Sequence, residues 1–384
     1  MKIKLRQAFD LQMGKTPARN RPDYWNGDHK WISIADIGNA EKFLTKTKES
    51  ITEAGIDGSG IKVVPKGTVI MSFKLSIGKT AITSEDMYTN EAIMAFIDNG
   101  KFAVDTDYLY HLCCGTNWTA GTNKAVMGLT LNKATLLEKE IPLPDINEQH
   151  KIATKLDKID AIIAERQQQL ELIDQAVKSR FIELFGDIVL NPFGWEKEYL
   201  GVVCDVRDGT HDSPHYHSTG FPLVTSKNVT GGEIDLTDCS LISEADFNKI
   251  NERSKVDMGD IIMPMIGTVG KPVIVNVKPN FAIKNVSLIK FKDDSRVLNT
   301  FIRSLLQSDY FDDAVLSKVR GGTQKFIALG DIRKLVVIVP PMELQEQFAA
   351  FVEQTDKSKY YKSIQILKLI TEAIAKEVSH DRIR

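Results

Sequence analysis

Residues 141–187 read IPLPDINEQHKIATKLDKIDAIIAERQQQLELIDQAVKSRFIELFGD, a stretch that begins with prolines and then has no proline or glycine before Gly186. The absence of helix-breaking residues predicts one long helix. Steps of four and three alternate along it, and eight of these ten positions are apolar: Ile152, Leu156, Ile159, Ile163, Arg166, Leu170, Ile173, Val177, Arg180 and Leu184. So narrow an apolar seam is typical of a coiled coil, and it predicts a partner helix.

The partner helix is predicted near the other end of the chain, where residues 339–381 read VPPMELQEQFAAFVEQTDKSKYYKSIQILKLITEAIAKEVSHD. The start of this stretch matches the first one at a constant offset of 198, which pairs Glu148-Gln149 with Glu346-Gln347. The same four-and-three spacing follows, at Tyr360, Ile364, Leu367, Thr371, Ile374 and Val378. A helix from Glu148 to Leu184 would span roughly 55 Å, which is longer than a small domain needs, so we interpret the helices as spacers.

The segments that precede the two helices also repeat each other. Residues 64–79 and 256–271 share a valine, two glycines, an Ile-Met pair and a final lysine at an offset of 192, and residues 31–37 match 223–229 at the same offset. Short β-like runs alternate with loops in both segments, which indicates α+β domains. A repeat of about 195 residues is too long for a solenoid unit and indicates a duplicated domain plus helix.

We therefore predict an α+β fold with two similar globular domains and two long antiparallel coiled-coil helices, related by a pseudo-two-fold axis. The predicted boundaries are 1–143 for the first domain, 144–187 for the central helix, 188–340 for the second domain and 341–384 for the C-terminal helix. Two unlike domains held apart by a rod suit DNA half-sites at a fixed spacing.

Composition limits the possible functions. The chain has 384 residues, of which 42% are apolar, enough for two or more folded domains. A net charge of −2 excludes a protein that grips nucleic acid by charge alone, so any DNA contact must be local. Four cysteines without a Cys-x-x-Cys pair, and the lack of a long apolar run or signal peptide, predict a cytoplasmic protein with free thiols.

Motifs for catalysis are missing. The chain has no Asp/Asn-Pro-Pro-aromatic motif for a methylated amine, and residues 73–80 (FKLSIGKT) end like a phosphate-binding loop but lack its first glycine. His211, His215 and His217, beside Asp208 and Asp212, have spacings that could hold a metal, which leaves a hydrolase as one alternative. The first domain has no histidine at the matching place near Lys15, which favours a DNA-contacting role for this loop.

The order of these features resembles the specificity (S) subunit of type I restriction-modification enzymes. Residues 208–216 (DGTHDSPHY) resemble a common opening of that family's target-recognition domains, and residues 321–326 (GGTQKF), followed by Val339-Pro340-Pro341, resemble their close. The first domain departs from the pattern, with Gly14-Lys15-Thr16-Pro17 at the opening position. The resemblance covers essentially the whole chain.

The resemblance implies a non-catalytic, DNA-binding subunit with two target-recognition domains, one for each half of a bipartite target. The expected partners are double-stranded DNA, two methyltransferase (M) subunits and restriction/translocase (R) subunits, with no membrane. S-adenosylmethionine, ATP and Mg are expected on the partner subunits, and no cofactor or metal on this chain.

Base reading requires Arg or Lys for guanine and Asn or Gln for adenine, on loops stiff enough to hold them. The DNA-binding candidates in the first domain are Lys15, Arg19, Arg21, Asn26, Lys30, Lys74, Lys79, Asn90, Asn123 and Lys124. Those in the second domain are Thr210, His211, His215, Tyr216, Lys227, Asn228, Lys271, Asn285, Arg320, Gln324 and Lys325. Lys79 and Lys271 recur after a matched glycine, so we expect them to contact phosphate, while specificity lies where the domains differ.

The repeated pair at the helix starts, Glu148-Gln149 and Glu346-Gln347, is predicted to dock the methyltransferase subunits, although helix capping also explains the glutamates. An alternative hypothesis for the whole chain is a two-domain coiled-coil scaffold that binds proteins and not DNA. This hypothesis explains the near-neutral charge but not the matched lysine-glycine and amide positions.

Overall fold

A computed structural model of the chain describes residues 1–74, 76–119, 131–230, 232–266, 269–318 and 326–381. The chain divides into two compact units. The first unit comprises Met1–Ile163 and the chain from Glu372 onward, and the second comprises Ala164–Thr371. Within the described residues, no helix has the length and apolar character needed to span a bilayer.

The first globular domain is built from short strands and helices. Its strands are β1 (Lys2–Lys4), β2 (Phe9–Met13), β3 (Trp25–Ile32), β4 (Phe43–Leu44), β5 (Glu49–Ile51), β6 (Val69–Ser72), β7 (Thr80–Thr83), β8 (Tyr88–Thr89), β9 (Ile93–Asp98) and β10 (Glu140–Pro142). Its helices are α1 (Leu5–Ala8), α2 (Ile34–Asn39), α3 (Glu53–Ser59), α4 (Thr106–Gly115) and α5 (Lys133–Leu137), and the long helix α6 (Ile146–Phe185) follows.

The second globular domain has the same kinds of element. Its strands are β11 (Glu196–Tyr199), β12 (Asp205–Asp208), β13 (Phe221–Val224), β14 (Val229–Thr230), β15 (Glu233–Ile234), β16 (Ser240–Ile242), β17 (Ile261–Pro264), β18 (Val273–Ile274), β19 (Ala282–Ile283), β20 (Val286–Lys290) and β21 (Val336–Val339). Its helices are α7 (Leu200–Val203), α8 (Glu244–Ser254), α9 (Asn299–Leu306), α10 (Asp309–Ala314) and α11 (Leu329–Arg333), followed by α12 (Met342–Asp381).

The sheets of the two domains are arranged alike, except that the largest sheet has five strands in the first domain and four in the second, which also has the strand pair β14-β15. The first domain has the strand orders β2-β9-β6-β7-β4, β5-β3-β8 and β1-β10, and the second has β12-β20-β17-β18, β16-β13-β19 and β11-β21. In each domain the central strand of the three-stranded sheet runs parallel to one of its neighbours. This strand is β3, parallel to β8, in the first domain and β13, parallel to β19, in the second. The α+β prediction and the duplication of the domain are therefore confirmed.

The largest sheet of the first domain is buried on both faces. Val69 and Met71 of β6 face one apolar cluster, together with residues of α4, whereas Ile70 faces another, together with Ile37 of α2. This alternation follows from the two-residue period of a strand. The matching strand β17 behaves the same way, since Ile261 and Ile262 lie in different clusters.

The offset of 192 read from the sequence describes these strands correctly. Gly67 and Gly259, which precede β6 and β17, have φ angles of 76° and 85°. Gly78 and Gly270, which follow the same strands, have φ angles of 91° and 78°. Because side chains other than glycine rarely adopt such angles, the spacing of the glycines records two copies of one backbone path.

The central helix has the seam that its sequence predicts. All ten seam positions of α6, from Ile152 to Leu184, are half-buried and none is exposed, while Leu172 between them is 54% exposed. Within the second unit α6 and α12 are antiparallel, because Asp174 pairs with Lys359 and Phe181 contacts Phe348, at ring centroids 5.5 Å apart. Of the predicted α12 seam only Ile364, half-buried, has a described side chain; Tyr360, Leu367, Thr371, Ile374 and Val378 do not.

At the starts of α6 and α12, the residues that are equivalent in the structure are not those that the sequence comparison matched. Gln149 and Gln345 are both 0% exposed, and both accept a hydrogen bond from the backbone N–H of the residue that caps α4 or α9. The true counterpart of Gln149 is thus Gln345, at an offset of 196, and not Gln347. The sequence comparison paired identical letters, whereas burial and hydrogen bonding identify the equivalent residue.

Candidate nucleic-acid interface

In the first domain, three loops that carry predicted DNA-binding residues lie side by side. The loop after β2 is attached to the loop after β8, because the backbone N–H of Lys15 donates to the carbonyl of Thr89 at 2.9 Å. The loop after β6 joins them through a 3.0 Å bond from the N–H of Phe73 to the carbonyl of Ala92. The predicted residues Lys15, Lys74, Lys79 and Asn90 all belong to these loops, which we call the first loop cluster.

The second domain has the same arrangement. The backbone N–H of Thr210 donates to the carbonyl of Ile283 at 3.0 Å, and Pro264 at the end of β17 pairs with Val286 at the start of β20. The loops after β12, β17 and β19 therefore meet as their counterparts do. These loops carry the predicted residues Thr210, His211, His215, Tyr216, Lys271 and Asn285, and we call them the second loop cluster.

A glycine opens the first loop of each cluster because the strand beside it leaves no room for a side chain. A Cβ atom on Gly14 would lie 2.0 Å from the carbonyl oxygen of Thr89, and one on Gly209 would lie 2.4 Å from that of Ile283. Both distances are far shorter than van der Waals contact. Lys15 and Thr210, the next residues, are thereby held at equivalent places.

Arg19 is held between two tryptophans and an acid. Its guanidinium carbon lies 3.9 Å from the ring centroid of Trp25 and 5.0 Å from that of Trp31, and one guanidinium nitrogen donates to Glu49 at 3.0 Å. The hydrogen bond from Arg19 lowers the pKa of the Glu49 carboxyl, despite an opposing effect of burial. Stacking and a bidentate pair fix an arginine that stays 54% exposed, which suits a residue that contacts DNA.

The sequence did not single out Trp25, Trp31 or Glu49, although they determine the position of Arg19. The two tryptophans meet edge to face with ring centroids 5.1 Å apart. A pair of tryptophans flanking the polar residues of β3 was the available signal, but only the fold shows that Arg19 stacks on them.

His211 is held from both sides in the second loop cluster. Its Nδ1 lies 2.9 Å from the side-chain oxygen of Asn285, and its Nε2 lies 2.9 Å from the carboxylate of Asp208. The other oxygen of that carboxylate accepts from Arg253, and Asp208 is 7% exposed. The hydrogen bonds to Asn285 and then Asp208 raise the pKa of His211 above its usual value.

The metal alternative for this loop gains no support from the fold. Among the described residues, no group of three or more His, Cys, Asp and Glu side chains is arranged to hold a metal ion. His211 instead contacts an amide and a carboxylate that also binds Arg253. His215 and Tyr216 are exposed, and Tyr216 has 56% of its surface accessible.

Lys79 and Lys271 occupy matched, exposed positions directly after the positive-φ glycines Gly78 and Gly270. Neither lysine forms an ion pair with any residue that the structure describes. Lys74, by contrast, has its ammonium 5.2 Å from the ring centroid of Phe73. Two exposed lysines at equivalent places suit the phosphate contacts predicted for them.

Other predicted DNA-binding residues bond to neighbouring protein groups. Arg21 pairs with Asp23, Lys30 with Glu85, and Lys227 with Asp238 at 3.7 Å. Asn26 is exposed and has a φ angle of 63°, at the irregularity where β3 shifts register against β5. The side-chain oxygen of Asn90 accepts from the N–H of Ala92 at 3.0 Å and so shapes its own turn.

The prediction that Asn228 contacts DNA is wrong. Asn228 is 3% exposed, its oxygen accepts from the N–H of Thr225 at 3.1 Å, and its amide donates to the carbonyl of Asp238 at 3.3 Å. Its counterpart Asp36 accepts from the N–H of Ser33 at 2.7 Å in the same kind of helix cap. Asn228 therefore stabilises the fold, and its buried side chain does not reach DNA.

Five predicted contacts, Asn123, Lys124, Arg320, Gln324 and Lys325, lie outside the described residues. Leu131, which follows residues 120–130, contacts the first loop cluster, since its N–H donates to the carbonyl of Phe73 at 3.3 Å. Phe326 likewise follows residues 319–325 and forms a bridge with Ile266.

The docking residues at the helix starts do not form a repeated pair. Gln149 is buried, so its side chain is not available to a partner subunit. The counterpart of Glu148 is Leu344, whereas Glu346 and Gln347 are exposed one and two residues beyond the buried Gln345. Glu148 and Glu346 are identical residue types, but they occupy different positions on their helices and are not structural equivalents.

Two copies of one α+β domain, each with a loop cluster at the same place and each followed by a 40-residue helix, define a protein with two related recognition sites. The sequence matches the family model described as the type I restriction modification DNA specificity domain, over residues 1–173 and again over 192–372. The chain belongs to this family.

Individual relatives agree with the family assignment. The chain is 27% identical to the type I restriction enzyme MjaIX specificity subunit of Methanocaldococcus jannaschii, over 99% of this chain and 93% of the relative. It is 22% identical to the EcoBI specificity subunit of Escherichia coli, over 76% of this chain and 68% of the relative.

Solved structures show the same fold. A chain from a study of complex assembly and conformational transition in the type I R-M system has a TM-score of 0.58 at 18% identity, covering 98% of this chain and 95% of that chain. The type I restriction-modification S subunit of M. genitalium has a TM-score of 0.50 at 15% identity, covering 98% and 94%.

Proposed function

We propose that this protein reads a bipartite DNA target, with one loop cluster for each half-site, as the specificity subunit of a type I restriction-modification complex. The observation that carries the proposal is a similar arrangement of strands and loops in the two domains with unlike side chains on the loops. Where the first cluster has Lys15 and the stacked Arg19, the second has Thr210 and the His211–Asn285 pair. Similar loop arrangements with different polar groups suit two sites of the same kind that bind different base sequences.

The catalytic and cofactor-binding groups belong, in this proposal, to other subunits. Two methyltransferase subunits supply S-adenosylmethionine chemistry, and restriction/translocase subunits supply ATP and Mg. The chain itself offers side chains for hydrogen bonding and charge, held on strand ends and tight turns. Specificity subunits that resemble it are named as parts of such enzymes, which supports this division of roles.

The methyltransferase subunits are proposed to dock on the exposed faces of α6 and α12 near their starts. Glu148 and Glu346 are the accessible acids of the predicted docking set. Reversing both charges, as Glu148→Lys with Glu346→Lys, should reduce the amount of methyltransferase that co-purifies with the chain. Undiminished co-purification would remove these two residues from the docking surface.

The direct test of DNA recognition is a methylation map. Cells that carry this gene together with the gene for its methyltransferase partner are compared with cells lacking this gene, by single-molecule sequencing of methylated adenines. We expect methylation at one two-part sequence, with a constant gap, only where this gene is present. A protein-binding scaffold would leave methylation unchanged between the two strains.

A further inference from the structure

Gln149 ties the first turn of α6 to the segment that leads into α4. Its side-chain oxygen accepts from the backbone N–H of Asp105 at 2.9 Å. Its amide donates to the carbonyl of Ala103 at 3.1 Å and to that of Pro144 at 2.9 Å. Both amide protons and the carbonyl are thus used at a site with no solvent exposure.

Gln345 makes the same three bonds in the second domain. Its oxygen accepts from the N–H of Leu298 at 2.8 Å, and its amide donates to the carbonyls of Arg296 at 3.0 Å and Pro340 at 2.8 Å. Two domains whose DNA-facing side chains have diverged therefore keep one buried arrangement at the helix start. Only a primary amide of this length accepts one such bond and donates two.

The segment held by each glutamine is connected directly to the loop cluster. Strand β9 begins just after the loop at Asn90 and ends at Asp98, a few residues before Ala103. Strand β20 likewise begins after Asn285 and ends before Arg296. Since β9 is paired on both sides, by β2 and β6, it links the recognition loops to the glutamine as a stiff element.

Ion pairs further along each helix fix the same attachment from a second point. On α6, Asp157 lies 2.7 Å from Nε2 of His111 on α4 and also pairs with Lys42. On α12, Asp356 lies 3.3 Å from Arg303 on α9. Two attachment points separated along a helix oppose its rotation as well as its displacement.

We propose that Gln149 and Gln345 are positioning residues for target recognition, which fix each loop cluster to its spacer helix and so determine the gap between the half-sites. The inference rests on the proposed function, since it concerns the spacing of a bipartite target. It assigns to two buried amides a role in selecting spacer length, separate from any contact with bases.

The test uses the full chain in complex with its methyltransferase subunits and the target found by the methylation map. Duplexes keep both half-sites constant while the gap is lengthened or shortened by one or two base pairs. The variants are Gln149→Met and Gln345→Met, which keep the side-chain length but remove all three bonds. Gln168→Met is the matched control, because this exposed glutamine lies in the middle of α6, away from the helix starts where the methyltransferase subunits are proposed to dock.

We expect the preference for the native gap over gaps one base pair longer or shorter to fall by about tenfold, or about 1.4 kcal/mol, in each buried-site variant and to stay unchanged in Gln168→Met. Preference for the correct bases in each half-site should remain. A folded variant with unchanged gap preference, or with equal loss of methylation at every gap, overturns the proposal.

Two controls keep the outcomes separate. Thermal unfolding of each variant checks the fold. Should Gln149→Met not fold, Gln149→Asn is used in the same assay, because it keeps a neutral amide but is one methylene too short to make all three bonds. If the wild-type complex methylates no bipartite target at all, the proposed function fails instead. The gap preference of the variants therefore tests the role of the two glutamines, and methylation by the wild-type complex tests the proposed function.

Discussion

At the scale of single residues, the second loop cluster contains a titrating group whose environment favours its charged form. His211 lies between the oxygen of Asn285 and the carboxylate of Asp208, and the charged groups around it also include Arg253 on α8. These hydrogen bonds raise its pKa above the ordinary value of 6.5. A group whose pKa is higher in the folded state stabilises the fold most when it is protonated in both states.

The pH dependence of stability should reveal this histidine. The contribution of His211 is fully present below its unfolded pKa and is lost as pH rises through the raised folded value. We expect the difference in unfolding free energy between wild type and His211→Gln to be larger near about pH 6 than near about pH 8.5. His215→Gln, in the same loop, is the control. A difference that does not change with pH would contradict the assigned environment.

Two other single residues, Lys79 and Lys271, should act on DNA without regard to sequence. Each is an exposed ammonium after a positive-φ glycine, at the same place in domains whose other loop residues differ. Lys79→Ala or Lys271→Ala should weaken binding to all duplexes and lower the slope of log affinity against log salt by about one unit. Lys249→Ala, on an exposed position of α8, is the control, and an altered base preference would argue against phosphate contact.

At the scale of elements, the seam on α6 separates apolar residues that pack from those that do not. Leu170 is a half-buried seam residue, whereas Leu172, two positions further on, is 54% exposed. Apolar residues also pack between the helices where α6 ends, since Phe181 and Phe185 contact the fully buried Phe348 at the start of α12.

This pair of leucines gives a matched test of the helix packing. Leu170→Ala should destabilise the chain by about 1–2 kcal/mol, less than a fully buried leucine, because part of its surface stays in water. Leu172→Ala should change the unfolding free energy by less than about 0.5 kcal/mol. Denaturant unfolding of both variants measures the difference, and equal effects would show that the seam does not pack.

At the scale of the whole molecule, duplication implies that each domain recognises its half-site independently. Arg19 belongs to the first loop cluster and Tyr216 to the second, and each has a different residue at the matching place in the other domain. Substitutions at sites that share no partners usually have additive free energies.

Libraries randomised in one half-site at a time provide the measurement. Arg19→Ala should relax base preference in one half-site only, and Tyr216→Ala in the other. The double variant should combine the two losses, with binding free energies that add to within about 0.5 kcal/mol. A single substitution that alters both half-sites would contradict the assignment of one domain to each.

The sequence by itself determined the repeated backbone: the seam of α6, the positive-φ glycines at an offset of 192, and the order of loops that carry DNA-binding candidates. These features are local, because a helix seam or a tight turn places its requirement on residues close together in the chain. Sequence comparison failed where equivalence depends on distant partners, as in the match of Gln149 with Gln347.

Only the tertiary structure decided which polar side chains are buried in the fold and which protein groups the exposed ones contact. It placed Asn228 in a buried cap, stacked Arg19 on Trp25, and joined His211 to Asn285, which is 74 residues away. The physical reason is that an amide or a guanidinium has the same chemistry in a cap, an ion pair or a DNA contact. Its role is set by the donors and acceptors that folding brings within about 3 Å of it.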